Sequence, residues 1–327
     1  MNKNKTTSNT KWVPNPFWVI VNKEIGDTVR SKRFLILVSI MLLTCLGSLY
    51  TALNNFSQAV GTHDPEGTFF FLKLYTISDG TLPSFIVFIS FLGPLLGISL
   101  GFDSINSEQN RGTLSRVLSQ PVYRDYLLNA KFVASIFVLT VLFFALAFMV
   151  LGFGLIFIGI PPTPEEFLRL ILFTLVSIVY VAFWLNLSIL FSVKFRQSAT
   201  SALAGISIWL FFSVFFNMIV NLIAKAIEPV RAISDSQIIH FEKTIQNLMR
   251  INPGQLFSDA TTTLLMPSVR SLGPLTMEQM RGAIPNPLPL GQSLMLVWPQ
   301  TTALIAGTIV FFAIAYTMFM RREIRSR

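Results

Sequence analysis

Few residues in this chain could carry out chemistry by themselves. Its 327 residues include two histidines and a single cysteine. His63 shares one loop with Asp64 and Glu66, but a metal site needs further converging ligands, so these read as a solvated loop. Cys45 stands alone inside an apolar run, where no intrachain disulfide can form and a small buried residue is expected. The dipeptide Gly-Lys never occurs, which removes the phosphate-binding loop, and neither His-Glu-x-x-His nor Cys-x-x-Cys is present. No catalytic site, metal site or cofactor is therefore expected in this chain. If it uses energy, a partner must supply it.

What remains is one polar stretch, Asp103 to Lys131, set between two long uncharged runs. It carries Arg111, Arg116, Arg124 and Lys131 together with Asp103, Glu108 and Asp125. Thr113 can cap a short helix on which Leu114, Val117 and Leu118 form an apolar face, ended before Pro121. An amphipathic helix of that kind suits a groove on another protein. A re-entry loop whose Glu108 and Arg111 pair in solvent for little energy fits the same residues. The residues alone leave both readings open.

The elements that must position this link are membrane spans. The composition is 52% hydrophobic with 31 Phe, and only 13% of residues are charged, against about one quarter in a soluble domain. Runs without any charged residue or histidine cover Phe34–Gly61, Leu82–Phe102, Phe132–Pro164, Leu170–Val193, Gln197–Ala224 and Leu288–Met320. Each holds the roughly 20 apolar residues that cross a hydrocarbon core, and backbone groups in lipid must be satisfied within the segment. Six transmembrane helices are predicted. The net charge of +9 is a topology signal rather than a nucleic-acid footprint. Lys and Arg number seven up to Arg33, four in the link, two in the Lys194–Arg196 turn and four after Met320, against eight on the opposite side. That bias puts both termini in the cytoplasm, with contact to anionic lipid.

Taken in order, residues 1–11 read as a disordered tail and 12–33 as an interfacial helix. There Trp18, Val21, Ile25 and Val29 recur at helical spacing, while Lys23, Asp27 and Arg30 fall elsewhere. Residues 34–224 hold spans one to five. Span two carries Gly93, Gly97 and Gly101, a pattern for close helix approach, and Pro94. Span three is longer than the core and is expected to tilt, protrude or break near Gly152, Gly154 and Gly159. Thr163 is placed to cap span four. Asn186, Asn217 and Asn221 read either as interhelical glue or as a substrate path. Residues 225–297 form an extracytoplasmic segment in which Ile233, Ile238, Phe241, Ile245 and Leu248 suggest an amphipathic helix, stopped at Asn252-Pro253-Gly254, with a second helix over Gln255–Leu265. The sixth span starts at Trp298-Pro299 and leads into a basic tail, 298–327.

Asp103, Glu108, Gly112-Thr113-Leu114, Leu118-Ser119, Pro121-Val122 and Lys131 resemble the signature of type-2 ABC exporter permeases. Ile251-Asn252-Pro253-Gly254-Gln255-Leu256-Phe257 is similar to a segment of relatives with an enlarged outer loop, and Ala130 stands where many relatives have Gly. The resemblance covers nearly the whole chain. It implies an all-α polytopic membrane protein with an amino-terminal elbow helix (Trp18, Val21, Ile25, Arg30), a cytoplasmic coupling helix after span two, and an outer domain between spans five and six. It also implies two ATP-binding subunits, which would bind the ATP and Mg, and a second permease, identical or homologous, in the plasma membrane. ATPase contact would fall on Glu108, Arg111, Thr113, Leu114, Arg116, Val117 and Leu118. Substrate export is the function implied. A sensor or scaffold whose outer loop binds a ligand or protein is the competing expectation.

Overall fold

The computed structural model describes residues 15–61, 69–78, 82–113, 123–159, 161–227, 235–267 and 288–321, and among these every regular element is a helix. In chain order they are α1 (Pro16–Val29), α2 (Lys32–Gly61), α3 (Phe70–Thr76), α4 (Phe85–Gly101), α5 (Asn106–Asn110), α6 (Arg124–Ile158) and α7 (Pro164–Lys194). Then follow α8 (Ser198–Leu210), a five-residue π-helical turn (Phe211–Phe215), α9 (Phe216–Ile227), α10 (Asp235–Met249), α11 (Pro253–Leu265) and α12 (Leu290–Arg321). Among the described residues, six stretches are long and apolar enough to cross a membrane: α2, α4 with its extension to Asn110, α6, α7, the joined α8–α9, and α12.

The bundle is built around α7, the most buried of the six, which packs on α4, α6, α8, α11 and α12. Its contact with α4 is backbone-close. A Cβ on Gly97 would stand 2.6 Å from the Val181 carbonyl oxygen, and one on Gly101 would stand 2.7 Å from that of Leu185. The missing side chains let two hydrogen bonds cross, from the Tyr180 hydroxyl to the Ser90 carbonyl (3.1 Å) and from Ser188 Oγ to the Ile98 carbonyl (3.1 Å). In lipid, where apolar burial does not by itself drive helices together, such close approach holds the pair.

α7 begins with a capping box: Thr163 Oγ1 accepts from the Glu166 amide while Glu166 Oε2 accepts from the Thr163 amide. Glu166 Oε1 also accepts from the Phe71 amide (2.8 Å), which moors α3. One turn on, the fully buried Arg169 donates to Glu165 Oε1, to the Leu264 and Leu288 carbonyls and to Ser293 Oγ. These bonds tie the end of α11 and the start of α12 to α7.

The excess length of span three is met by protrusion, one of its expected outcomes, and two other boundaries differ from the sequence reading. α6 passes Gly152 and Gly154 unbroken and stops at Gly159, whose φ of 76° is the left-handed conformation that glycine adopts freely. At about 1.5 Å per residue its excess length runs back past Lys131 to Arg124. α12 begins at Leu290 rather than Trp298, since Pro299 sits inside the helix, as membrane helices tolerate. Asn252-Pro253-Gly254 starts a helix as well as ending one. Asn252 Oδ1 accepts from the Gly254 amide (2.9 Å) with Pro253 at the first position, and α11 is buried against α7, α12 and α4.

Candidate functional site: a charged node joining α1, the link and α6

The protruding foot of α6 is covered by α1. Val21 packs on Ala130 and Ala134, flanked by Phe17, Ile20 and Ile25, and the Phe17 and Tyr126 rings meet edge to face at 5.6 Å. The docking face is thus Phe17, Ile20, Val21 and Ile25. Of the predicted stripe, Trp18 and Val29 are exposed, as is Arg30.

Where this face ends, charges meet. Lys131, 6% exposed, places Nζ 2.8 Å from Glu24 Oε2 of α1 and 2.8 Å from Glu108 Oε1 of α5. Lys23 closes the group at 2.9 Å from Glu24, 3.3 Å from Asp27 and 3.9 Å from Glu108. One lysine between two carboxylates would leave an uncompensated anion, and Lys23 supplies the second cation. Burial opposes the charge on Glu24, but Lys131 and Lys23 outweigh it and hold its carboxyl below the usual carboxylate range. Nearby, Arg33 at the start of α2 pairs with Asp103 and lies over the Phe102 ring, 5.0 Å from its centroid.

The link is also docked on the α7–α8 turn. Ser192 Oγ accepts from the Ile105 and Asn106 amides (2.9 and 3.2 Å), Ser198 Oγ donates to Asn106 Oδ1 (2.9 Å), and Asn110 Nδ2 donates to the Arg196 carbonyl (3.0 Å). Gly112, at φ 67°, then turns the chain in a conformation that L side chains resist. The Thr113 hydroxyl donates to the Glu108 carbonyl (3.2 Å). A cleft of about 650 Å3 opens beside the node, and Arg111 and Thr113 line it. Leu114, Arg116, Val117 and Leu118 lie outside the described residues.

The structure thus brings Glu108, Arg111 and Thr113 to one end of the bundle, with the Glu108 carboxylate turned inward on Lys131. Glu24, Asn106 and Ser192 escaped the sequence reading. Glu24 left a signal: it is an acidic residue between Val21 and Ile25, at the rim of an apolar stripe.

The profile of the family described as "ABC-2 family transporter protein" matches residues 18–324. The chain belongs to this family. It is similar to the probable ABC transporter permease protein NosY of Pseudomonas aeruginosa, 24% identical over 313 residues that cover 94% of this chain and 98% of that protein. The NosY protein of Stutzerimonas stutzeri is 25% identical over 215 residues, covering 63% of this chain and 69% of the relative. The chain is therefore a multi-pass permease, the membrane subunit of an ABC transporter.

The permease's intramembrane amides fall in different settings. Asn186 is fully buried and donates to the Thr308 carbonyl of α12 (3.3 Å). Asn217 and Asn221 are exposed on α9, where Asn221 Nδ2 donates to the Asn217 carbonyl (2.8 Å). Gly93, Gly97 and Gly101 all face α7. One string, Gly97-Ile98-Ser99-Leu100-Gly101, matches the Gly-x-Ser-x-Gly of serine hydrolases. A nucleophile elbow requires a strand-to-helix turn, whereas this string lies inside α4 with both glycines pressed on α7.

Proposed function

We propose that α1 and the Asp103–Lys131 link form one lever through which separate ATP-binding subunits, holding ATP and Mg, drive this permease to export a substrate. In this reading α1 is the interfacial elbow helix and the link holds the cytoplasmic coupling helix. Both termini are cytoplasmic in the plasma membrane, and 225–297 is the outer domain. Two ATP-binding subunits and a second permease complete the assembly. The observation that carries the reading is Lys131, bonded to α1 and to the link at once from the foot of span three. A push on either element is transmitted to α6 because the three share one largely buried charge group, and removing one partner leaves the remaining charges incompletely compensated. Arg111 on the cleft rim, with Arg116, supplies the contact to the ATPase.

The test is purification of the tagged chain in mild detergent, followed by proteomics and ATP hydrolysis after return to lipid. An ATP-binding subunit should co-purify and be lost from the Arg111→Glu/Arg116→Glu double variant. Lys131→Arg should retain both association and permease-dependent hydrolysis. Association unchanged by the double charge reversal would overturn the docking assignment.

A further inference from the structure

Span five changes character at its π-helical turn, Phe211–Phe215. Before the turn α8 is fixed: it packs on α4 and α7, Trp209 is buried, and a Cβ on Gly205 would stand 3.2 Å from Ile98 Cγ2. Beyond the turn α9 makes its main contacts with the turn itself and with α10, and Met218 and Leu222 are exposed. At the junction the Phe216 amide donates to the Phe211 carbonyl, five residues back, where an α-helix would use Phe212. The Phe212 carbonyl accepts from Asn252 Nδ2 (3.0 Å), while Asn252 Oδ1 caps α11 through the Gly254 amide (2.9 Å). One buried side chain thus binds the turn to α11. Beside the turn a cavity of about 310 Å3 lies between α4, α7 and α11, with Asn217 on its wall.

We infer that span five is a gate with two registers, set by Asn252. A π-helical turn holds one residue more than the same length of α-helix, and such turns are found mostly at functional sites. When the Phe216 amide moves to the Phe212 carbonyl, the turn becomes α-helical and the two flanking helices rotate by about 100°, the angle of one residue. Because α8 is the fixed side, the rotation falls on α9. Phe216 then takes the direction of Asn217, and a phenyl ring replaces an amide on the cavity wall. There is room for it, since about 150 Å3 of cavity holds a benzene ring. The π register is the open state and the α register the closed one. Asn252 favours the open state, because it satisfies a carbonyl that the α register satisfies within the helix. The gate stands on the geometry of span five; its coupling to ATP rests on the transport reading above.

Crosslinking reads the register. The permease carrying Cys45→Ser, in lipid nanodiscs with its ATP-binding partner, receives Val87→Cys on the α4 side of the cavity. This is combined with either Asn217→Cys or Phe216→Cys and treated with a short bifunctional methanethiosulfonate. Without nucleotide the Asn217→Cys pair should dominate. Asn252→Ser and Asn252→Asp both keep a capping oxygen, but the first cannot reach the Phe212 carbonyl and the second has no amide donor. Each should shift the ratio of the two crosslinks toward Phe216→Cys by about two- to tenfold, the weight of one hydrogen bond. Deleting Val214, exposed in the turn, removes the extra residue and leaves α9 in its present direction. That variant should keep the Asn217→Cys pair and lose the response to Asn252→Ser. A ratio that neither Asn252 variant moves, or that both move equally in the deletion, overturns the gate. The two readings fail separately. A shift in Asn252→Ser without any ATP-binding partner sinks transport alone. Permease-dependent hydrolysis with a ratio indifferent to Asn252 and to nucleotide sinks the gate alone.

Discussion

At the scale of single residues, Lys131 decides whether three elements act as one. Its removal in Lys131→Met leaves Glu24 and Glu108, both largely buried, to share the half-exposed Lys23. Breaking a buried pair by deleting one partner costs about 3–5 kcal/mol. A large fall in melting temperature is therefore expected in detergent, while Lys131→Arg retains most of the stability because the charge persists. A melting temperature for Lys131→Met equal to wild type would show that the node holds nothing together. Glu24 predicts a pH signature as well. Its carboxyl titrates below the ordinary value of 4.5, so its ionised form is the one that folding favours. The stability it contributes is fully present above that value and is lost as pH falls through the depressed folded one. The difference in melting temperature between wild type and Glu24→Gln should be flat from neutrality to about pH 5 and shrink below about pH 4.5. A difference that grows on acidification would reverse the sign and contradict the geometry.

At the scale of elements, the α4–α7 contact separates glycines that matter from those that do not. A methyl group on Gly97 enters the van der Waals shell of the Val181 carbonyl and the Leu185 amide, both backbone atoms that cannot rotate away. Gly97→Ala should therefore destabilise by about 1–3 kcal/mol, the usual cost of overpacking. Gly152, inside α6, has open space where a Cβ would go. Gly152→Ala should be neutral or slightly stabilising, because alanine loses less backbone freedom in a helix. Thermal stability by size-exclusion chromatography checks both variants side by side, and equal effects would mean that α4 does not approach α7 as described. Sequence alone could mark Gly93, Gly97 and Gly101 as a close-packing stripe, since spacing of four puts them on one face. It could not name α7 as the partner, because lipid and protein neighbours are equally apolar and hydropathy is blind to which surrounds a helix. The same blindness hid the burial of α11, whose sequence reads as an outer segment while Phe257 stacks on Tyr180 at 4.4 Å.

At the scale of the whole molecule, the six spans were legible because each is an uninterrupted apolar run of membrane length, a signal carried by local sequence alone. The node was not, because Glu24 and Lys131 are separated by 107 positions and only the docking of α1 brings them together. Orientation in the membrane rests on the distribution of Lys and Arg, and it can be tested without knowing the substrate. Cys45 is the chain's single cysteine and is buried, so Cys45→Ser provides a background without thiols. In that background Gln197→Cys reports the exposed α7–α8 turn beside the link, and Lys243→Cys reports the exposed face of α10. If the basic end is cytoplasmic, a membrane-impermeant maleimide should label Lys243→Cys in intact cells and Gln197→Cys only after permeabilisation. The inverse pattern would place the charged node on the outer face, out of reach of any cytoplasmic ATPase. The lever reading would then fall even though the fold, the family and the α4–α7 packing stood unchanged.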